Sequence, residues 1–382
     1  MNTRRLAGLM MAVALALTAC NSKSVDPPAE LVDIKPTLKI KKLWSEGLGG
    51  GAENLRLGLQ PMVLNGVVYA AAHDGEVVAL SEDKGKRLWR VKTKLQLSAG
   101  PAVADGLLVV GSVNGKLVAL DAATGEQRWQ QQLSSEILSK AAIGNGVVVV
   151  HTVDSRLQAL NASDGSLRWN SEEAAPKLSL RGTATPIIAS SLVLCGFDNG
   201  RLAALDVSTG DQQWNVAIDT PSGRTELDKL ADIDSPVTVS GRDVFVAGYQ
   251  GKVAMLDMDN GQVWWSKDAS SYRGFGLDDD TLFLTRANGM VSALRRNDGN
   301  TTWDQDVLHQ RVLTAAIPSG DSVVVGDYEG YVHWLSKADG SVQARAKTDG
   351  ERITNAPVVA DGRVFVQTDG GKLIAFEATP KS

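Results

Sequence analysis

Short apolar segments separated by polar turns recur along the chain with a period near 40 residues, and one unit shows the pattern in full. Asn114-Gly115 is followed by the apolar Leu117-Val118-Ala119-Leu120, then by Asp121, a Thr124-Gly125 turn and Trp129, which lies 14 residues after Gly115. The same interval separates Gly75 from Trp89, Gly200 from Trp214, Gly251 from Trp265 and Gly289 from Trp303, and Ser155 stands in for the glycine before Trp169. Gly330 leads to Ala344, so that unit lacks its tryptophan, and Gly371 lies too close to Ser382 to have a counterpart, which brings the units to eight.

Each unit reads as strands. Pro61, Pro101, Pro186 and Pro357 stand 14 residues before the glycine and open an apolar segment, a polar turn and a second apolar segment. Asn65-Gly66, Asp105-Gly106, Asn145-Gly146 and Asp361-Gly362 fill that turn, and these pairs tolerate the positive φ of a tight hairpin. The third segment is apolar at successive positions, as expected of a strand covered on both faces. The fourth carries the tryptophan, which can wedge between adjacent sheets with its N–H paired. Four strands per unit at this period predict an all-β fold, an eight-bladed β-propeller of four-stranded antiparallel blades over residues 38–382. The last unit, Pro357 to Phe376, supplies three strands, and Lys39 to Trp44 offers the missing fourth with its own tryptophan, closing the ring and removing its open edges.

The N-terminus adds a different signal. Arg4 and Arg5 precede an apolar run, Leu6 to Leu17, of about 12 residues, well short of the roughly 20 needed to cross a bilayer. Residues 1–19 are therefore read as a signal peptide. Leu17-Thr18-Ala19-Cys20 resembles the bacterial lipoprotein box, which implies cleavage before Cys20, acylation of that residue, and membrane attachment through several acyl chains. In that family an aspartate after the cysteine tends to keep the protein at the inner membrane; Asn21 here implies the periplasmic face of the outer membrane. Residues 20–37, with Pro27, Pro28 and Pro36, read as a flexible tether. Asn21 to Pro36, 16 residues, would reach about 50 Å if fully extended.

The formal charge of −5 becomes −7 once residues 1–19, with two arginines and no acids, are removed. An acidic chain of this kind argues against nucleic acid as a partner. Beyond Cys20 there is one cysteine, Cys195, within an apolar run, so no internal disulfide is available.

The repeat is similar to the pyrroloquinoline-quinone type, Asp-Gly-x-Leu-x-Ala-Leu-Asp-x-x-Thr-Gly-x-x-x-Trp, across residues 39–378. Quinone alcohol dehydrogenases share that repeat, but the adjacent cysteine pair usual in them is missing and the connections are short, leaving little chain for a cofactor chamber. Gly47 to Ala52 nearly fits a dinucleotide fingerprint, yet a strand is expected after it rather than the helix a phosphate needs. Asp278-Asp279-Asp280 falls at a hairpin turn and lacks calcium-loop spacing. His73, His151, His309 and His333 are scattered over four blades without metal spacing. No catalytic residue, metal ligand or cofactor is expected.

Function should then lie where the repeat is interrupted. Trp89 to Pro101 and Trp129 to Ala141 each span 12 residues, whereas Trp169 to Pro186 spans 17 and Trp214 to Pro236 spans 22. These two links are neighbours on one face of the disc. The first holds Leu178-Ser179-Leu180-Arg181 and the second holds Asp228-Lys229-Leu230-Ala231-Asp232-Ile233-Asp234. Leucines beside an arginine suit a protein-binding patch; alternatively, the leucines cover the propeller end while Arg181 pairs with Asp232 or Asp234. The lipobox, the eight repeats, Leu-Ser-Leu-Arg-Gly, Asp-x-Asp-x-Pro and Gly-Asp-x-Glu-Gly-Tyr-x-His-Trp at Gly326 to Trp334 together resemble the propeller lipoproteins of the outer-membrane β-barrel assembly machinery. That resemblance implies a non-enzymatic scaffold. Leu178, Leu180, Arg181, Asp232 and Asp234 would contact the periplasmic domains of BamA, the barrel-forming subunit, with unfolded outer-membrane proteins as further partners. A quinone-dependent enzyme and a carbohydrate- or signal-binding propeller are the competing classes.

Overall fold

The turn residues set where the chain reverses. Gly115, Gly200 and Gly330 adopt φ between 72° and 77°, and Ser155 takes φ 59° at the same place in its unit, so a left-handed residue is required there. A computed structural model describes residues 26–52, 55–174, 182–219 and 232–381. Among them are 32 strands and no helix, arranged as eight four-stranded antiparallel sheets that ring a central channel as an eight-bladed β-propeller. Blades 1 to 7 are sequential: Met62–Lys92, Leu97–Gln132, Ala142–Glu172, Ile187–Ala217, Thr238–Asp268, Phe275–Gln305 and Ile317–Lys347.

Blade 8 is built from both ends of the chain. Leu38–Gly47 pairs antiparallel with Lys372–Pro380, from Leu38 opposite Pro380 to Gly47 opposite Lys372, with a bulge between Lys42 and Trp44. The closing strand is thus longer than the Lys39 to Trp44 segment marked by its pattern.

Burial follows the position of a strand within its blade. In blade 2 the third strand, Lys116–Asp121, is buried at all four central residues, while in the outer strand, Gln127–Gln132, only Trp129 is. Apolar cores accordingly lie between blades: Trp129 packs with Val148, Val150 and Leu160 of blade 3.

Each outer-strand tryptophan at the repeat position makes the same two contacts with the next blade. Trp129 Nε1 donates to the Ala162 carbonyl at 2.9 Å, and its ring lies over the turn glycine Gly165. Trp44, Trp89, Trp169, Trp214, Trp265 and Trp303 repeat the indole bond to Glu82, Ala122, Val207, Met258, Arg296 and Lys337. Seven of the eight junctions are therefore made alike.

The segment read as a tether is docked over much of its described length. Ala29 N–H donates to the His309 carbonyl at 3.0 Å, Leu31 packs against the core between blades 6 and 7, and Thr37 N–H donates to the Gln343 carbonyl at 2.9 Å. A buried ionic group holds the first of these points. Arg311 Nε donates to Asp327 at 2.9 Å, Arg311 also pairs with Glu329, and its Nη1 donates to the Ala29 carbonyl at 2.9 Å. His333 Nε2 lies 3.0 Å from the same Asp327 carboxylate. Burial works to raise the Asp327 carboxyl, but bonds from His333, the Tyr331 N–H and Arg311 outweigh it and leave it below the ordinary value. The Gly326 to Trp334 motif is thus explained locally: its aspartate and glutamate hold one buried arginine that clasps the N-terminal segment, and its histidine bonds the same aspartate.

Candidate functional site at the channel mouth

Links from an outer strand to the next inner strand all emerge on one face of the disc. Leu178, Leu180 and Arg181 lie outside the described residues, as does Cys20. Gly182, the residue after Arg181, is described. A Cβ placed on Gly182 would lie 2.7 Å from Asp234 Oδ2, so the two enlarged links touch at this point.

The second link is anchored by its backbone and by Ile233. Tyr249 N–H donates to the Asp232 carbonyl at 2.8 Å, and Ile233, fully buried, joins the core between blades 4 and 5 against Gly196. Asp232 is buried beside it, whereas Asp234 is half-buried and lines the channel mouth. Burial pushes the Asp234 carboxyl well above the usual carboxylate range, and the charges of Asp198 and Asp232 push it further. Among the described residues Asp234 Oδ1 has no hydrogen-bond partner.

Behind this mouth lies the channel. An outer cavity of about 670 Å³ is lined by Arg56, Gly182, Asp234, Tyr249 and Arg273 among others. A deeper one of about 460 Å³ is lined by Gln60, Lys140, Thr185, Phe275, Arg273 and Ile317 among others. Thr183, Tyr272, Arg273 and Asn355 border both, so the two are one passage.

The remaining residues that pattern singled out are structural. The glycine-rich run after the closing strand is a link bonded to blade 8, with Leu48 N–H to the Gly371 carbonyl at 2.8 Å and Ala52 N–H to the Asp369 carbonyl at 2.7 Å. Asp278 sits in the hairpin between Phe275–Leu277 and Thr281–Thr285 and pairs with Lys337 at 2.9 Å. Cys195 is buried, and burial raises its thiol well above the ordinary value, which makes it inert. Among the described residues no group of three or more His, Cys, Asp or Glu side chains is placed to hold a metal ion.

Lys140 and Arg273 escaped the reading by pattern. Aligning the units shows the signal that marks the lysine: the position 15 residues before the turn glycine or Ser155 is Gln60, Gly100, Lys140, Thr185, Pro236, Gly274, Ala315 or Ala356, with one charge among them.

These features define a class, the eight-bladed propeller of quinone-enzyme-type repeats whose spacing is broken on one face. A quinohemoprotein alcohol dehydrogenase from Comamonas testosteroni shares that fold, with a TM-score of 0.70 at 15% identity over 88% of this chain and 76% of that one. At that identity the likeness speaks for the fold alone. Residues 73–305 and 287–380 match the family model described as outer membrane protein assembly factor BamB. The BamB of Pseudomonas aeruginosa is 45% identical over 369 residues, covering 96% of this chain and 97% of that protein. The crystal structure of BamB from Moraxella catarrhalis superposes with a TM-score of 0.82 at 30% identity, over 89% of this chain and all of that one. The chain belongs to the BamB family of outer membrane protein assembly factors.

Proposed function

We propose that the chain is a non-enzymatic scaffold lipoprotein that docks on the periplasmic domains of BamA and assists the folding and insertion of β-barrel proteins. It is held at the periplasmic face of the outer membrane by acylated Cys20, with residues 1–19 removed as a signal peptide and the chain from Asn21 leading to the propeller. The supporting observation is the contact of Gly182 with Asp234, which brings two enlarged links together at the channel mouth. Leu178, Leu180 and Arg181 from the first link supply apolar contact and a cation. Asp232 and Asp234 from the second steady that link, because Asp234 packed against Gly182 fixes the end of the loop before any partner arrives. Unfolded outer-membrane proteins are further partners of the assembled complex.

The test is copurification from solubilised envelopes. Wild-type protein recovers BamA, and Arg181→Glu, which reverses the charge that the first link offers, recovers at least tenfold less while melting as wild type does. Equal recovery by a folded Arg181→Glu protein would remove the site. Mass analysis of the same preparation checks the acyl chains on Cys20, and their absence would remove the anchor.

A further inference from the structure

The deeper part of the channel has the chemistry of a binding site that neither the scaffold role nor the repeat requires. Gln60 is fixed by donating from Nε2 to the Ala356 carbonyl at 2.9 Å, which turns its Oε1 toward Lys140 Nζ at 2.7 Å. An ammonium has three hydrogens, and this neutral acceptor takes one. Among the described residues Lys140 has no carboxylate partner, although it is enclosed by protein.

From the blade 6 side, Arg273 enters the same cavity. Its guanidinium lies 4.9 Å from the centroid of the Tyr272 ring, and Nη1 reaches the Thr354 carbonyl at a long 3.4 Å. Among the described residues Arg273 Nε has no hydrogen-bond partner, nor has Thr183 Oγ1, and both residues border the cavity. Among the described residues the lining includes no aspartate or glutamate. Asp234 belongs to the outer cavity, where its raised carboxyl carries less negative charge than an ordinary one.

Lys140 has no counter-charge among the described residues and Arg273 feels only the Asp369 carboxylate outside the cavity wall, so two enclosed cations with unused donors beside them are costly unless an anion joins them. Ile187, Phe275 and Ile317 add an apolar wall. We infer that the axial channel binds a small organic acid, its carboxylate held between Lys140 and Arg273 and its apolar part against Phe275 and the two isoleucines. Arg273 offers a planar fork that suits a carboxylate, and Lys140 offers a point charge on the opposite side. Burial pushes the Lys140 ammonium down to about 8, so the neutral amine becomes available in mildly alkaline buffer and the site loses one of its two charges there.

The probe is 4-fluorobenzoate, followed by fluorine NMR as the purified protein is added. Saturable binding is expected at pH 7, weakened at least threefold at pH 9.5, and weakened at least tenfold in Lys140→Met. Arg273→Met should show a comparable loss, so the inference does not depend on one variant folding. The pH arm needs no variant at all. No saturable binding to the wild-type protein, or binding of equal strength at pH 7 and 9.5, would overturn the site. Displacement of 4-fluorobenzoate by an equal concentration of inorganic phosphate would overturn the assignment to an organic acid.

Discussion

Trp334 stands directly opposite Ala344 in the strand ladder of blade 7, and Ala344 occupies the place where the other blades carry their junction tryptophan. The exchange has a physical reason. An outer-strand tryptophan needs, in the next blade, a turn between the third and fourth strands, with a glycine to lie under the ring and a carbonyl to accept from the indole. Blade 8 has no such turn, because its third strand ends at Pro380 and its fourth begins at Leu38. An indole at 344 would therefore have nowhere to dock. Trp334, fully buried, fills the junction from the third strand and meets Phe376 edge-on, with ring centroids 6.0 Å apart.

Restoring the repeat at this site should therefore weaken the fold. Ala344→Trp adds a large ring where the existing side chain is already buried against Trp334, and overpacking of this kind costs about 1–3 kcal/mol. Trp129→Ala, at an ordinary junction, opens a cavity and leaves the Ala162 carbonyl unpaired, at about 3–5 kcal/mol. Urea unfolding checks both. A stabilised Ala344→Trp protein would contradict the account of the missing tryptophan.

Closure of blade 8 leads to a second expectation. Removing Lys39 to Trp44 strips the outer strand from Lys372–Pro380 and takes away the indole that reaches Glu82 of blade 1, opening both the blade and its junction. The melting temperature should fall, and the exposed edge should promote aggregation. An unchanged melting temperature would show that the ring does not depend on this strand.

The blades were legible in the sequence because the turns need a left-handed residue and seven of the eight junctions take an outer-strand tryptophan, so glycine and tryptophan mark the period directly. Ser155 at φ 59° shows that the conformation, not the glycine, is what recurs. The docking of residues 29–37 was not legible, because it depends on Arg311 and Gln343, almost the whole chain away in sequence. The four histidines looked alike in the sequence, yet burial separates them: His333 joins Asp327 in an ionic group and His151 lies in an apolar core. The interruption at Asp232 and Asp234 could be read from spacing alone. What spacing could not reveal is that Asp234 faces Gly182 and that a charged channel opens behind them.

His151 makes stability depend on pH. Burial pushes its imidazole down to about 4, against which its bond to the Ala184 carbonyl, at 3.1 Å, works only weakly. The unfolded chain takes up that proton near 6.5, so between 6.5 and 4 it binds more protons than the folded chain. Stability therefore rises with pH there, and is lost as pH falls through that window. From pH 7 to pH 5 the loss attributable to His151 is about 2 kcal/mol. His333, also lowered by burial, acts in the same direction. Urea titrations at both pH values should show a smaller difference for His151→Gln than for wild type, and an equal difference would assign the dependence elsewhere.

The contact between the two enlarged links can be separated from the fold by the smallest possible change. Gly182→Ala places a methyl carbon 2.7 Å from Asp234 Oδ2, closer than such atoms approach, so the carboxylate or the link must move. No buried apolar group is removed, and the melting temperature should shift by only a few degrees. If Asp234 acts by fixing the first link, Gly182→Ala and Asp234→Ala should each reduce BamA recovery, and the double variant should be little worse than either alone. That non-additivity is the signature of two residues sharing one interaction. Additive losses would instead mean that Asp234 contacts the partner independently of the link that carries Arg181.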